Sequence, residues 1–208
     1  MSRPAVAAGL LATLVVALPG IALARCEDPA GPKVNWQGCN KRDVDLRDKD
    51  LQGANLQSAL LAGAKMGRAN LRGANLNKAS LLEADLSPTV DFREATLSEA
   101  NLKGVDLTYA KLDSADLRGA NLEGAILEEA SLPRADLEGT RLLDASLIEA
   151  NLQGANLKGA FLRGAKLSRA NLRDAKLEGV NLAGVNLSGA TWTDGRTCAS
   201  PSIGACNK

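Results

Sequence analysis

The sequence predicts a narrow solenoid, a chain that turns once every five residues around a packed axis. Three observations carry that prediction. From Val44 the chain divides into fives, VDLRD, KDLQG, ANLQS and onward to ATWTD at 190–194, giving 30 units with one residue to spare. The third residue of the unit is Leu in 27 of the 30, with Met66, Phe92 and Trp192 in the other places, and the first is Ala, Val or Thr except at Lys49. The apolar share comes almost wholly from Leu and Ala, with only two Phe, two Trp and one Tyr, whereas a compact globule draws much of its core from aromatic and β-branched side chains.

A period of five suits neither regular element. On an α-helix each step of five advances the leucine by about 140°, so the leucines spiral round every face and make no stripe. On a flat strand, alternation throws successive leucines to opposite faces. The backbone must turn once per unit, so that the Leu and the small residue two before it point at a common axis. Positions four and five are mostly polar or Gly, as solvated turn residues are. The interior is then two ladders, one of large and one of small side chains.

Units such as Ala54-Asn55-Leu56-Gln57-Ser58 and Ala120-Asn121-Leu122-Glu123-Gly124 resemble the A-[D/N]-L-x-x unit of the pentapeptide repeat proteins, and the resemblance runs over residues 44–194. It implies an all-β solenoid, a right-handed quadrilateral β-helix with four units to a coil. Thirty units are then about 7.5 coils, a tower on the order of 36 Å tall at strand spacing.

In chain order, residues 1–24 read as a cleavable signal peptide. Arg3 precedes an apolar run over residues 5–18, Pro19 and Gly20 break it, and Ala22-Leu23-Ala24 offers the small residues of a cleavage site. The run is short for a membrane span, and Arg25 before Cys26 does not suit lipidation. Export to the periplasm or the medium is expected, or to a thylakoid lumen if the source is a cyanobacterium.

Residues 25–43 form an N-terminal cap and residues 195–208 a C-terminal one. Each holds two of the four cysteines, Cys26 with Cys39 and Cys198 with Cys206. In an oxidising compartment an even number points to disulfides, with three connectivities open. The spacings are not zinc-like and His is absent, so no metal is expected and the two local bridges are favoured. Pairing one end with the other has to span the tower, beyond disulfide reach. End coils of a solenoid expose backbone edges unless capped, and a bridge closing a loop of about 14 residues contributes on the order of 3 kcal/mol.

The beat is missed once, in SPTVDF, where six residues separate Leu86 from Phe92. The pattern resumes at once, so a bulge at a corner is expected near Pro88 and Thr89, with Pro88 fixing the turn, Thr89 spare, and Phe92 a larger plug in the leucine ladder. A face map across it holds only if four units per coil persist.

Chemistry is sparse. A solenoid this narrow has no interior room for a ligand, and acid-base work without His needs a tuned carboxylate or lysine that nothing marks. Glu128 and Glu129 read as solvated face charges. No enzyme and no cofactor are expected. Without residues 1–24 the chain holds 24 basic and 24 acidic residues, no footprint for nucleic acid. Some proteins of the resembled family mimic DNA to shield a topoisomerase. That alternative requires an acidic tower in the cytoplasm, whereas Asp91, Arg93, Glu94, Lys111, Asp113 and Arg134 here mix signs on one face.

What is left is a surface for a protein partner or for self-association, with no stable membrane anchor after cleavage. With every fourth unit on one face, the outward Leu60, Leu82, Leu143 and Phe161 share a face and Tyr109, Ile126 and Ile148 share its neighbour. Tyr109, Ile126, Leu143, Ile148 and Phe161 cluster about one corner, and a contiguous apolar patch is the usual mark of a partner site.

Overall fold

A computed structural model describes residues 24–207; the signal peptide read over residues 1–24 lies, except for Ala24, outside the described residues. Each unit forms one side of a four-sided coil, and the atoms show why five residues are needed. The carbonyl of the third residue accepts the N–H of the next unit's first residue, as Leu51 O does from Ala54 at 3.0 Å and Leu117 O from Ala120 at 3.0 Å. The fifth residue is left-handed, with φ of 57° at Ser58, 59° at Arg68 and 54° at Glu129. A turn closed in this way with a positive φ at its third residue is type II. Where the second residue is Asn or Asp, its short side chain can accept the N–H two residues on, as Asn55 Oδ1 does from Gln57 at 3.3 Å and Asn121 Oδ1 from Glu123 at 3.2 Å.

Many of these left-handed places carry a residue with a Cβ, which costs on the order of 1–2 kcal/mol at that conformation. Ser114 is one, with φ 57°. Ser114→Gly is expected to stabilise the chain by about 0.5–1 kcal/mol after the extra backbone entropy of glycine is subtracted, read as a higher urea midpoint at unchanged slope.

Coils stack through single-residue parallel bridges at position two, such as Asn35 with Asn55 and Asn55 with Asn75, 20 residues apart. This defines four sides. The first holds the units starting at Val44, Ala64, Ala84, Val105, Ala125, Ala145, Ala165 and Val185; the second, third and fourth follow in chain order round the coil. The first and third positions of the units point inward, and their Ala and Leu ladders form one continuous buried core. Phe92 is fully buried in a leucine place. Thr140, buried in a small-residue place, donates its hydroxyl to Leu117 O at 2.8 Å.

The missed beat is absorbed within one coil. Ladder partners become 21 residues apart from Asn70 with Asp91 to Ser80 with Asn101, and return to 20 at Asp91 with Lys111. Four units per coil therefore persist. Thr89, expected as spare, takes the left-handed place of its unit at φ 42°. Pro88 stands fifth in its unit, and a ring that holds φ near −65° cannot go there, so an added residue supplies the turn. The wall opens slightly above it: Asp85 and Asp106 are not bridged among the described residues. Asp106 instead accepts Ser87 Oγ at 3.2 Å and the N–H and hydroxyl of Thr108 at 2.9 and 2.6 Å. Burial pushes the Asp106 carboxyl up, and these hydrogen bonds outweigh it and hold the pKa below the ordinary value.

The ladder starts two units before Val44, so residues 34–194 make eight coils. Trp36 is buried in a leucine place and Cys39 in an alanine place. Lys41 lies over the Trp36 ring, 3.8 Å from its centre, and the indole N–H donates to Asp28 O at 3.1 Å. Cys26 bonds to Cys39 and Cys198 to Cys206, with Cα separations of 5.4 and 4.9 Å.

At the other end the chain doubles back. Thr197 pairs antiparallel with Thr191 and Ile203 with Asn186, through Trp192 N–H to Arg196 O at 2.7 Å, Leu187 N–H to Ser202 O at 2.7 Å and Gly204 N–H to Val185 O at 2.9 Å. This strap covers the second and first sides of the last coil. No ladder bridge forms above the third and fourth sides, residues 175–184, among the described residues; the strap reaches the end of the fourth side at Gly204, where a Cβ would lie 3.7 Å from Leu182 O, and Leu177, Val180 and Leu182 are only partly buried.

Candidate interaction surface

The bridge network places the outward side chains in columns. Leu60, Arg141 and Phe161 stand in the middle of the fourth side, and Asp106, Ile126, Ser146 and Lys166 in the middle of the first. The five corner residues thus lie on adjoining sides. Tyr109 is 54% exposed, Ile126 39% and Phe161 55%, while Leu143 and Ile148 are half-buried.

The structure brings some of these together and separates others. Leu143 and Phe161 line one hollow of about 400 Å³ with Ala160, Leu162, Arg163 and Asn181. Ala160 and Leu162 remain buried and contribute only to its lining. Phe161 faces Asn181 in the ladder, yet the bonds that the coil pattern calls for, Asn181 N–H to Ala160 O and Leu162 N–H to Asn181 O, do not form among the described residues.

Tyr109, Ile126 and Ile148 occupy neighbouring rungs of the first side. Tyr109 N–H donates to Glu128 O at 3.0 Å and Glu129 N–H to Ile148 O at 2.9 Å. The Tyr109 hydroxyl donates to Glu129 Oε1 at 3.0 Å, and that hydrogen bond, with the carboxylate's charge, raises the phenol's pKa. Polar groups run between the two halves of the corner: Ser146 Oγ donates to Glu128 at 2.7 Å, and Arg141 lies 3.5 Å from Glu123. Leu60 and Leu82 stand lower on the fourth side and outside the hollow.

Charges elsewhere neutralise one another locally. Arg47 grips both oxygens of Asp45 at 2.9 and 2.6 Å, and the guanidinium drives that carboxyl far below the usual range. Arg93 holds Asp91 and Arg118 holds Asp116 in the same way, each at 2.6 Å. Sequence reasoning missed Ile203, 55% exposed on the strap, and the half-open Leu177 and Leu182. Those leucines carry the core signature, so only the course of the strap reveals their exposure.

The model of the pentapeptide repeats matches in eight copies over residues 54–87, 90–124, 125–164, 145–182 and 165–191. The break at 88–89 falls on the inserted turn. No curated protein matches the chain. Among solved structures it is similar to HetL, a pentapeptide repeat protein involved in heterocyst differentiation regulation in the cyanobacterium Nostoc sp. strain PCC 7120, at 32% identity over 79% of this chain and 92% of that one, with a TM-score of 0.54. It also shares its fold with QnrB1, a plasmid-mediated fluoroquinolone resistance protein, at 20% identity over 77% of this chain and 78% of that one, with a TM-score of 0.57. The four-unit coil, the buried Leu and Ala ladders and the matched residues agree: the chain belongs to the pentapeptide repeat proteins and is a right-handed quadrilateral β-helix.

Proposed function

We propose that this protein is a non-enzymatic interaction module that works outside the cytoplasm and engages a protein partner at the corner from Tyr109 to Phe161. The observation that carries the reading is the exposure of Phe161 beside an apolar hollow, in a tower whose other outward positions are mostly small, polar or charged. An aromatic anchor next to a pocket is the kind of feature on which binding energy concentrates. Export is supported by the two disulfides that close the ends, since such bonds persist in oxidising compartments. The mimicry of DNA has less support: acids and bases pair along the sides, and the likeness to QnrB1 is one of fold.

Crosslinking in intact cells, followed by identification of the captured protein, tests the site. The double variant Ile148→Glu, Phe161→Glu is expected to lose at least ~tenfold of the captured species while its thermal midpoint stays that of the parent. Equal capture by both chains rules the corner out. Fractionation tests the compartment separately.

A further inference from the structure

The charges that neutralise one another along much of the tower fall out of balance at one level. Residues 150–169 make one full turn and hold four bases, Lys158, Arg163, Lys166 and Arg169, and no acid, whereas each full turn below, back to residue 49, holds at least one acid. Arg169 is engaged by Glu149 of the turn beneath, at 2.6 Å. Lys158, Arg163 and Lys166 are exposed and make no ion pair among the described residues. Elsewhere Arg68, Arg72, Arg93 and Arg118 each reach a carboxylate at 2.5–2.7 Å.

The three free cations surround the hollow at Phe161. Phe161 stands in the middle of the fourth side. Lys158 precedes the corner at Gly159 on one hand, and Arg163 precedes the corner at Gly164 on the other. Lys166 stands in the middle of the adjoining first side. Gly159 and Arg163 line the hollow together with Phe161 and Leu143. Two acids approach from neighbouring rungs: Asp144, whose N–H donates to Arg163 O at 3.0 Å, and Glu178, whose carbonyl accepts from Gly159 N–H at 2.9 Å. Neither forms an ion pair among the described residues. With Lys176 on the upper rung, four bases face these two acids, and the surplus is positive.

We propose that the partner engaged at this corner is an acidic polypeptide segment, which seats one apolar side chain in the hollow beside Phe161 and sets carboxylates on both sides of it against Lys158, Arg163 and Lys166. The inference rests on the corner reading above and adds the chemistry of the partner. Cations without an internal counter-charge lose nothing when a carboxylate arrives, and they steer it during approach. Arg163 can meet a carboxylate with two parallel hydrogen bonds. A neutral partner pressed on the hollow instead covers Arg163 without compensating its charge, which costs affinity. A phosphodiester backbone satisfies the cations and brings no apolar group to the hollow.

The probe is a short synthetic peptide with a central Leu between pairs of Glu, read by fluorescence anisotropy against the full chain. It is expected to bind at least ~tenfold more tightly than the same peptide with Gln for Glu, and than the same peptide with Gly for Leu. The triple variant Lys158→Glu, Arg163→Glu, Lys166→Glu, at side chains exposed in the tower, is expected to lose that preference while keeping the parent's thermal midpoint. Raising salt from about 0.05 to about 0.5 M is expected to weaken the Glu peptide and leave the Gln peptide unchanged. Equal binding of the Glu and Gln peptides, equal binding by the triple variant, or no binding of the Glu peptide at about 1 mM overturns the proposal. Vesicles containing phosphatidylglycerol that sediment the chain while the Glu peptide stays unbound assign the belt to lipid headgroups and overturn it as well. The two readings fail separately in intact cells. Crosslinked capture that survives Ile148→Glu, Phe161→Glu removes the corner itself, whereas capture lost in that chain and kept in the triple variant removes the acidic partner alone.

Discussion

Deleting Thr89 is expected to destabilise the tower by at least ~3 kcal/mol, whereas deleting Pro88 is expected to change stability by less than about 1 kcal/mol. Either deletion restores an unbroken beat of five, so a reading based on period alone treats them as equal. The backbone separates them. Without Thr89 the unit ends in Pro88, and the fifth place demands a positive φ that the pyrrolidine ring forbids. Without Pro88 the unit reads Ala84, Asp85, Leu86, Ser87, Thr89, and Thr89 keeps the left-handed conformation it already has at φ 42°. The shorter coil also lets Asp85 and Asp106 resume the bridge they lack, adding the hydrogen bond from Leu86 N–H to Asp106 O. Urea unfolding of the two single deletions decides the point, and equal midpoints refute the conformational account.

Most of the wall was legible because its cause is local. A turn closing every five residues needs a small residue, a large one and a left-handed corner at fixed offsets, and thirty units repeat that demand in Leu and Ala. The face map across the insertion held for the same reason, since a corner residue was added and no side was lost. The ends were less legible. Trp36, Cys39 and Lys41 stand in core register without an Ala or Leu among them, so the first two units fell below the pattern. The strap at 196–204 pairs antiparallel, with partners set by how the chain reverses after Trp192, and no period announces such a reversal. The corner was half legible: its residues lie where every-fourth-unit counting puts them, but the hollow at Phe161 depends on a slackened pairing with Asn181 that side-chain identity does not encode.

The insertion also has a counterpart one coil below it. Gly67 is the only glycine in the fourth place of any of the thirty units. A Cβ built there overlaps Ser87 O, lies 2.8 Å from the Ser87 carbonyl carbon and 3.2 Å from Pro88 Cδ. The first two are backbone atoms, held by Arg68 N–H to Pro88 O at 2.8 Å and Met66 N–H to Asp85 O at 2.6 Å, so no rotamer relieves the overlap. Gly67→Ala is therefore expected to cost about 2–4 kcal/mol, at or above the usual range for overpacking because backbone must move. The cause is separable from any general need for glycine. In the chain lacking Pro88 the lowered backbone withdraws, an ordinary fourth-place residue fits, and the same substitution is expected to cost less than about 1 kcal/mol. The double-mutant cycle then returns a coupling of about 1–3 kcal/mol between positions 21 residues apart in sequence, the size expected of groups in direct contact. An additive cycle breaks the link between Gly67 and the bulge and leaves the glycine without a structural reason.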